Sequence, residues 1–169
     1  IPKVSEVFMK HDIICLGKYG LPVGSSLFEQ YRLAHNSEDM MIVMMIVERM
    51  FPEYMTDMLK VLGGDTIIPF NMFIMKREDF SEYCDFIFKV MQTFDLTKGF
   101  GKYEDIYNYV KGCPMYHKDA IDDEAIEKVS KYQSRIQGYL IERLTNVFIA
   151  HRFKNPMYVD VEVITEKIE

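Results

Sequence analysis

PFNMFIMKREDFSEYCDFIFKVM, residues 69–91, decides the fold. Met72, Phe73, Ile74 and Met75 form an apolar run too short for a helix and suited to a buried strand. Lys76 and Arg77 close it. Glu78 and Asp79 then place negative charge in the first turn of a helix, where the helix dipole favours it. From about Glu78 to Phe94, an apolar stripe recurs at Phe80, Cys84, Ile87, Met91 and Phe94. The unit is a strand, a polar corner and a helix, with Asn71 at the mouth of the strand. In α/β proteins such strand ends are where polar groups meet a ligand.

Toward the N-terminus, residues 3–10 predict a short helix and Asp12 to Leu16 a buried strand ended by Gly17. Residues 17–24, with Gly17, Gly20, Pro22 and Gly24, read as a loop. Ser26 and Glu29 form a capping box, so a helix starts there with Leu27, Phe28, Tyr31 and Ala34 on one face. Asn36-Ser37 interrupts it. Ser37 is the expected cap of the next helix, with Glu38 and Asp39 in its first turn. That helix carries Met40 to Val47, an apolar run that reads as buried on all sides, and ends near Phe51. Pro52 suits the start of a third helix and Gly63-Gly64 its stop.

Toward the C-terminus, residues 95–121 are the least regular, with a short helix expected near Tyr103 to Val110. Asp122 is placed to cap one long helix running to about Ala150. Tyr158 to Val163 alternates apolar and acidic residues with the period of a half-exposed strand.

At 169 residues the chain reads as one domain with a real core. It is 49% apolar and 27% charged, a globular composition. A net charge of −6 speaks against nucleic acid as the main partner, since phosphates call for a basic surface. Cys15, Cys84 and Cys113 lack metal-binding spacing and fit a reducing compartment. Met40 to Val47 is far short of a membrane span. The chain opens Ile1-Pro2-Lys3 without a visible signal peptide, so the expectation is a processed product or a piece of something longer, acting in the cytoplasm. There is no Gly-rich phosphate loop, nucleophile elbow or zinc motif.

The sharpest constellation is QSRIQGYLIERL, residues 133–144. On a continuous helix, Ile136, Leu140, Leu144, Val147 and Phe148 share one broad face. Arg135, Tyr139, Glu142 and Asn146 share the opposite one. An arginine, a tyrosine, a carboxylate and an amide in one row suit a polyhydroxylated ligand. The plainer alternative is a solvated face with an Arg–Glu pair. Arg143 lies at the edge of the apolar face and calls for a buried partner. His35 is either a ligand contact or a hydrogen-bonded core histidine, and the break after it argues against a helical His35–Asp39 pair. Gln30 sits off the apolar stripe. Asp122-Asp123-Glu124 is better explained by capping than by metal, and the methionine stripe by packing.

The order LFEQYRLAH (27–35), FPEYMTDML (51–59), NMFIMKREDFSEYCDFIF (71–88) and YQSRIQGYLIERLTNVF (132–148) resembles the DUF4422-type family associated with capsular or exopolysaccharide biosynthesis. The resemblance implies a helix-rich α/β fold like the C-terminal part of a GT-A-like glycosyltransferase. It implies a nucleotide-sugar donor and a surface glycan acceptor. Glu142 and His35 are then the catalytic candidates. Gln30, Asn71, Arg135, Tyr139 and Arg143 are the substrate-binding ones. A divalent metal, manganese or magnesium, follows only by analogy, as does peripheral association with the inner membrane face. Family members carry a preceding half, so residues 1–169 are expected to lack the nucleotide-binding part. The alternative is a non-catalytic helical module that binds a glycan or a protein, with a homo-oligomer also open. An enzyme half should join Asn71, His35 and Glu142 in a polar cleft. A binding module should expose a contiguous apolar patch.

Overall fold

The computed structural model describes residues 4–120 and 122–160. A one-turn helix α1 (Val4–Val7) leads to β1 (Ile14–Leu16), whose three residues are all buried. The stretch expected as loop contains β2 (Tyr19–Gly20), which pairs with a strand more than forty residues away that local pattern does not reveal. Helix α2 (Leu27–Ala34) starts where Ser26 Oγ accepts the Glu29 amide at 3.2 Å. Leu27 and Tyr31 are wholly buried, while Ala34 is exposed.

Helix α3 (Ser37–Met50) is capped by Asn36 and not by Ser37. Asn36 Oδ1 accepts the Glu38 amide at 3.0 Å, and its Nδ2 donates to Tyr109 Oη at 2.7 Å, so both ends of the amide are used. Nor is α3 buried on all sides. Met40, Val43 and Val47 face the core, but Met41 and Met45 are 48% and 67% exposed. A 3-10 turn at Pro52–Tyr54 runs into α4 (Met55–Gly63), which stops at Gly64.

Next come β3 (Thr66–Ile67), β4 (Phe73–Ile74) and α5 (Arg77–Lys98). The expected strand is thus shorter and the helix longer, ending at Gly99, whose φ of 73° only glycine adopts readily. On α5 the buried face is Tyr83, Phe86, Ile87, Val90, Met91 and Phe94, whereas Phe80 is exposed. Helix α6 (Tyr103–Gly112) and a 3-10 turn at Pro114–His117 order much of the irregular stretch.

The single long helix expected after Asp122 is two helices, α7 (Asp123–Gln133) and α8 (Ile136–Arg152). Asp122 caps the first, accepting the Ala125 amide at 2.7 Å. The hydroxyls of Ser130 and Ser134 return to the carbonyls four residues back, at 2.7 and 2.6 Å. Such back-bonding loosens and bends helices, and here the chain leaves the helix at Ser134-Arg135. Strand β5 (Met157–Val159) ends the described fold. Residues 161–163 of the expected strand lie outside the described residues.

The sheets are small. One has the order β4-β1-β5, with β1 antiparallel to β4 and parallel to β5, and the other pairs β2 with β3. The core is helical and centres on α8, whose Leu140, Leu144, Val147 and Phe148 are fully buried. They share one core with Phe86, Val90 and Phe94 of α5, Met58 of α4, Val43 and Val47 of α3, and Leu27 and Tyr31 of α2. Arg143, Thr145 and Asn146 are buried too, which makes α8 a central helix and not a surface one. No described helix is long and apolar enough to cross a membrane.

Candidate functional site

The break at Ser134 turns Gln133 back toward α2. Gln133 Oε1 meets His35 Nδ1 at 3.0 Å, and Gln133 Nε2 donates to the Ala34 carbonyl at 3.4 Å. That amide orientation assigns the hydrogen to Nδ1 and a lone pair to Nε2. The His35 ring stacks on Tyr139 at 4.1 Å between centroids and tilts against Tyr31 at 4.8 Å. Burial pushes the His35 imidazole down to about 4, Arg143 adds to the fall, and Gln133 opposes it. His35 is therefore neutral at pH 7. With so low a basicity it serves a hydroxyl better as a hydrogen-bond acceptor than as a proton acceptor.

Arg143, 3% exposed, finds the partners its position calls for. It donates to Glu142 Oε2 at 2.6 Å, to the Tyr139 carbonyl at 3.2 Å and, in a short contact, to Gln30 Oε1. Its guanidinium lies 5.4 Å from the Tyr31 ring centre. Arg135 is the exposed cation of the group. It stacks 4.5 Å over Tyr132 and donates to Tyr139 Oη at 3.3 Å.

Glu142 and Asn146, one turn apart, grip the strand mouth. Glu142 Oε1 accepts the Phe70 amide at 2.9 Å. Asn146 accepts the Ile68 amide at 2.7 Å and donates to the Ile68 carbonyl at 2.9 Å. Asn71 sits in that turn at a φ of 51°, next to Phe70 at 65°. So Gln30, His35, Arg135, Tyr139, Glu142 and Arg143 form one chain of contacts, and Asn71 joins it through the Phe70 amide.

Three polar atoms of this region are shut off from solvent without a hydrogen-bond partner: Tyr31 Oη, Arg143 Nε and Asn71 Oδ1. Buried polar groups are nearly always paired, so each marks a place for a further donor or acceptor. None of the described cavities joins Asn71, His35 and Glu142 as the expected polar cleft would. The largest described cavity, about 530 Å³, runs past Lys18, Lys60, Thr66, Asn146, Phe153 and Tyr158, and a smaller one is lined by Ala34, Tyr116 and Gln133. The first reaches the site through Ile68 and Asn146, the second through Gln133. Local sequence gave no sign of Gln133, whose role depends on the helix break, or of Phe70, whose role depends on its backbone conformation.

The donor set does not fit a divalent cation. Among the described residues no three His, Cys, Asp or Glu side chains converge, and each oxygen of Glu142 already has a donor.

Similarity to known proteins agrees with this architecture. An apo structure of WbbM, a bifunctional glycosyltransferase, shares the fold over 93% of this chain with a TM-score of 0.59 and 19% identity. The chain spans about a quarter of that protein, 25% of its length, so the helix-rich α/β unit is a partial glycosyltransferase-like fold. The chain belongs to the family described as Domain of unknown function (DUF4422), which matches residues 2–112. Gln30, His35 and Asn71 fall inside that match, and Gln133 to Arg143 lie beyond it. No curated protein matches the chain.

Proposed function

We propose that this chain is part of a glycosyltransferase that moves a sugar from a nucleotide-sugar donor to a surface polysaccharide acceptor. The observation that carries the reading is the convergence of Gln30, His35, Arg143 and Glu142, distant in sequence, on one buried network with unused polar atoms. The glycosyltransferase fold of WbbM supports it.

Glycosyl transfer builds positive charge on the sugar and negative charge on the leaving diphosphate. Arg135 is the accessible cation and takes the diphosphate. Arg143, buried and paired, orients Glu142 toward the reacting sugar. His35 Nε2 and Asn71 Oδ1 accept hydrogen bonds from sugar hydroxyls, and Gln30 and Tyr139 fix Arg143 and His35 in place. No step is routed through a metal.

Isothermal titration with a panel of UDP-sugars, with and without Mn²⁺, tests this. The expected result is micromolar binding, about −8 kcal/mol, weakened at least roughly tenfold by Arg135→Ala, one lost charge-assisted contact. Failure of every nucleotide sugar to bind leaves an acceptor-side part of the enzyme or a non-catalytic module, and failure of the full-length parent to bind them as well removes the reading. Oligosaccharide binding by this chain, with no nucleotide-sugar binding by the full-length parent either, would instead identify a non-catalytic glycan-binding module.

A specific observation favours a protein-binding role as the second reading. An apolar groove of about 390 Å³ lies between α3 and α5, lined by Ile42, Met45, Ile46 and Met50. Pull-down of a defined partner that is lost on Met45→Glu would establish it.

A further inference from the structure

Pro69-Phe70-Asn71-Met72 is a turn with positive φ at both central residues, 65° and 51°. Glycine, asparagine and aspartate accept that geometry, and a bulky aromatic does not. A conformation of this kind persists only where its surroundings impose it. Here they do. Glu142 holds the Phe70 amide, Asn146 holds both backbone groups of Ile68, and the Leu16 amide reaches the Met72 carbonyl at 3.4 Å. All this restraint is spent on a phenyl ring that is 70% exposed and adds almost nothing to the core.

Polar side chains bracket the backbone of Phe70. Asn71 Oδ1 lacks a partner, and the Glu142 side chain, bonded to the Phe70 amide, is 20% exposed. Met72 and Ile74, 50% and 48% exposed, continue an apolar strip along the strand. An aromatic face beside an amide and a carboxylate is the chemistry that recognises a sugar. The electron-rich face of the ring attracts the polarised C–H face of a pyranose. The partly exposed Glu142 carboxylate accepts from its hydroxyls.

We propose that Phe70 is a stacking platform for a neutral glycan, held out from the fold by the Glu142 and Asn146 anchors. The proposal rests on the glycosyltransferase reading and names the acceptor side of that site. The strain at Phe70 is the cost of presenting the ring, and an exposed residue chosen for stability alone would be glycine or asparagine.

The test is ligand-observed NMR titration of this chain with neutral galacto-oligosaccharides and, separately, with UDP-galactose. Wild type, Phe70→Tyr and Phe70→Gly are compared, and each is melted. Wild type and Phe70→Tyr are expected to bind the oligosaccharide alike. Phe70→Gly is expected to bind it roughly tenfold more weakly or worse, and to melt at the same temperature or a higher one, because glycine accepts the positive φ. Undiminished oligosaccharide binding by Phe70→Gly overturns the proposal. So does a fall in its melting temperature, which would give the ring a packing role. Absence of oligosaccharide binding in all three also overturns it. UDP-galactose binding then supports the glycosyltransferase reading independently of the Phe70 result.

Discussion

Two buried polar networks flank the Asn36 break, and they are built differently. On the α3 side, Asp39 is fully buried and completely matched. It pairs with Lys98 at 3.1 Å and accepts from Tyr109 at 2.9 Å and Tyr116 at 3.4 Å. Asn36 closes the group by bonding both tyrosine hydroxyls. On the α2 side, the network of His35, Gln30, Tyr139, Glu142 and Arg143 leaves Tyr31 Oη and Arg143 Nε without partners. A saturated network fixes helices. A network with spare donors and acceptors is what a ligand needs. The contrast gives the Asp39 side to the fold and supports the proposal of a site on the His35 side.

The strongest way to break that contrast is Asp39→Ala. It strands Lys98, whose side chain is only 10% exposed, beside two buried hydroxyls. Loss of one member of such a pair costs about 3–5 kcal/mol, to be read from the urea midpoint at constant slope. A loss below about 1 kcal/mol would mean that the network is not structural.

The second test is pH. The His35 pKa falls from its ordinary 6.5 to about 4, with Tyr31, Tyr139, Gln133 and Arg143 around the ring. The folded state thus binds its proton less readily than the unfolded state. The contribution of neutral His35 is complete above pH 6.5 and is lost as pH falls toward 4. Its full size is about 3 kcal/mol at 1.36 kcal/mol per pKa unit. Burial moves the Asp39 carboxyl up, with Lys98 opposing, so Asp39 acts in the reverse sense. The difference between wild type and His35→Gln isolates the histidine, and stability curves of the two that stay parallel between pH 4 and 6.5 would refute it.

The third test is smaller. Asn146→Ala leaves the Ile68 amide and carbonyl unmatched in a buried place and should cost about 2 kcal/mol. It should also loosen the Phe70 turn, visible as faster amide exchange at Phe70 and Asn71.

How far these networks could be foreseen follows from how local their signals are. The Ser26 and Asp122 caps and the Gly64 stop are set by a few neighbouring residues, and they were legible, whereas the helix expected to end at Phe94 runs on to Gly99. The choice of Asn36 over Ser37 as cap was not, because it depends on Tyr109 supplying the other half of the amide's bonding. The Ser134 break was hidden because serine is equally at home on a helix surface and in a back-bonded kink. His35 and Arg143 could be singled out as polar residues at the edge of apolar faces, Glu142 as part of a polar row and Gln30 as lying off the apolar stripe. Their partnerships span 98 residues for His35–Gln133 and 113 for Gln30–Arg143, which no local pattern encodes. The unpaired atoms are visible only in three dimensions.

Tyr31→Phe is the smallest change and the most discriminating. The Tyr31 hydroxyl is buried without a partner, so removing it gives up no hydrogen bond and relieves a desolvation cost. The ring remains to pack against His35 and Arg143. If the hydroxyl is idle, stability should rise by about 1 kcal/mol and nucleotide-sugar or glycan affinity should not move. If it belongs to the site, stability still rises but affinity falls, the trade-off expected where a polar group is kept for function. A loss of stability would show that a buried water satisfies the hydroxyl in solution. The His35 side would then be as saturated as the Asp39 side, and the distinction between them would rest on Asn71 and Arg143 alone.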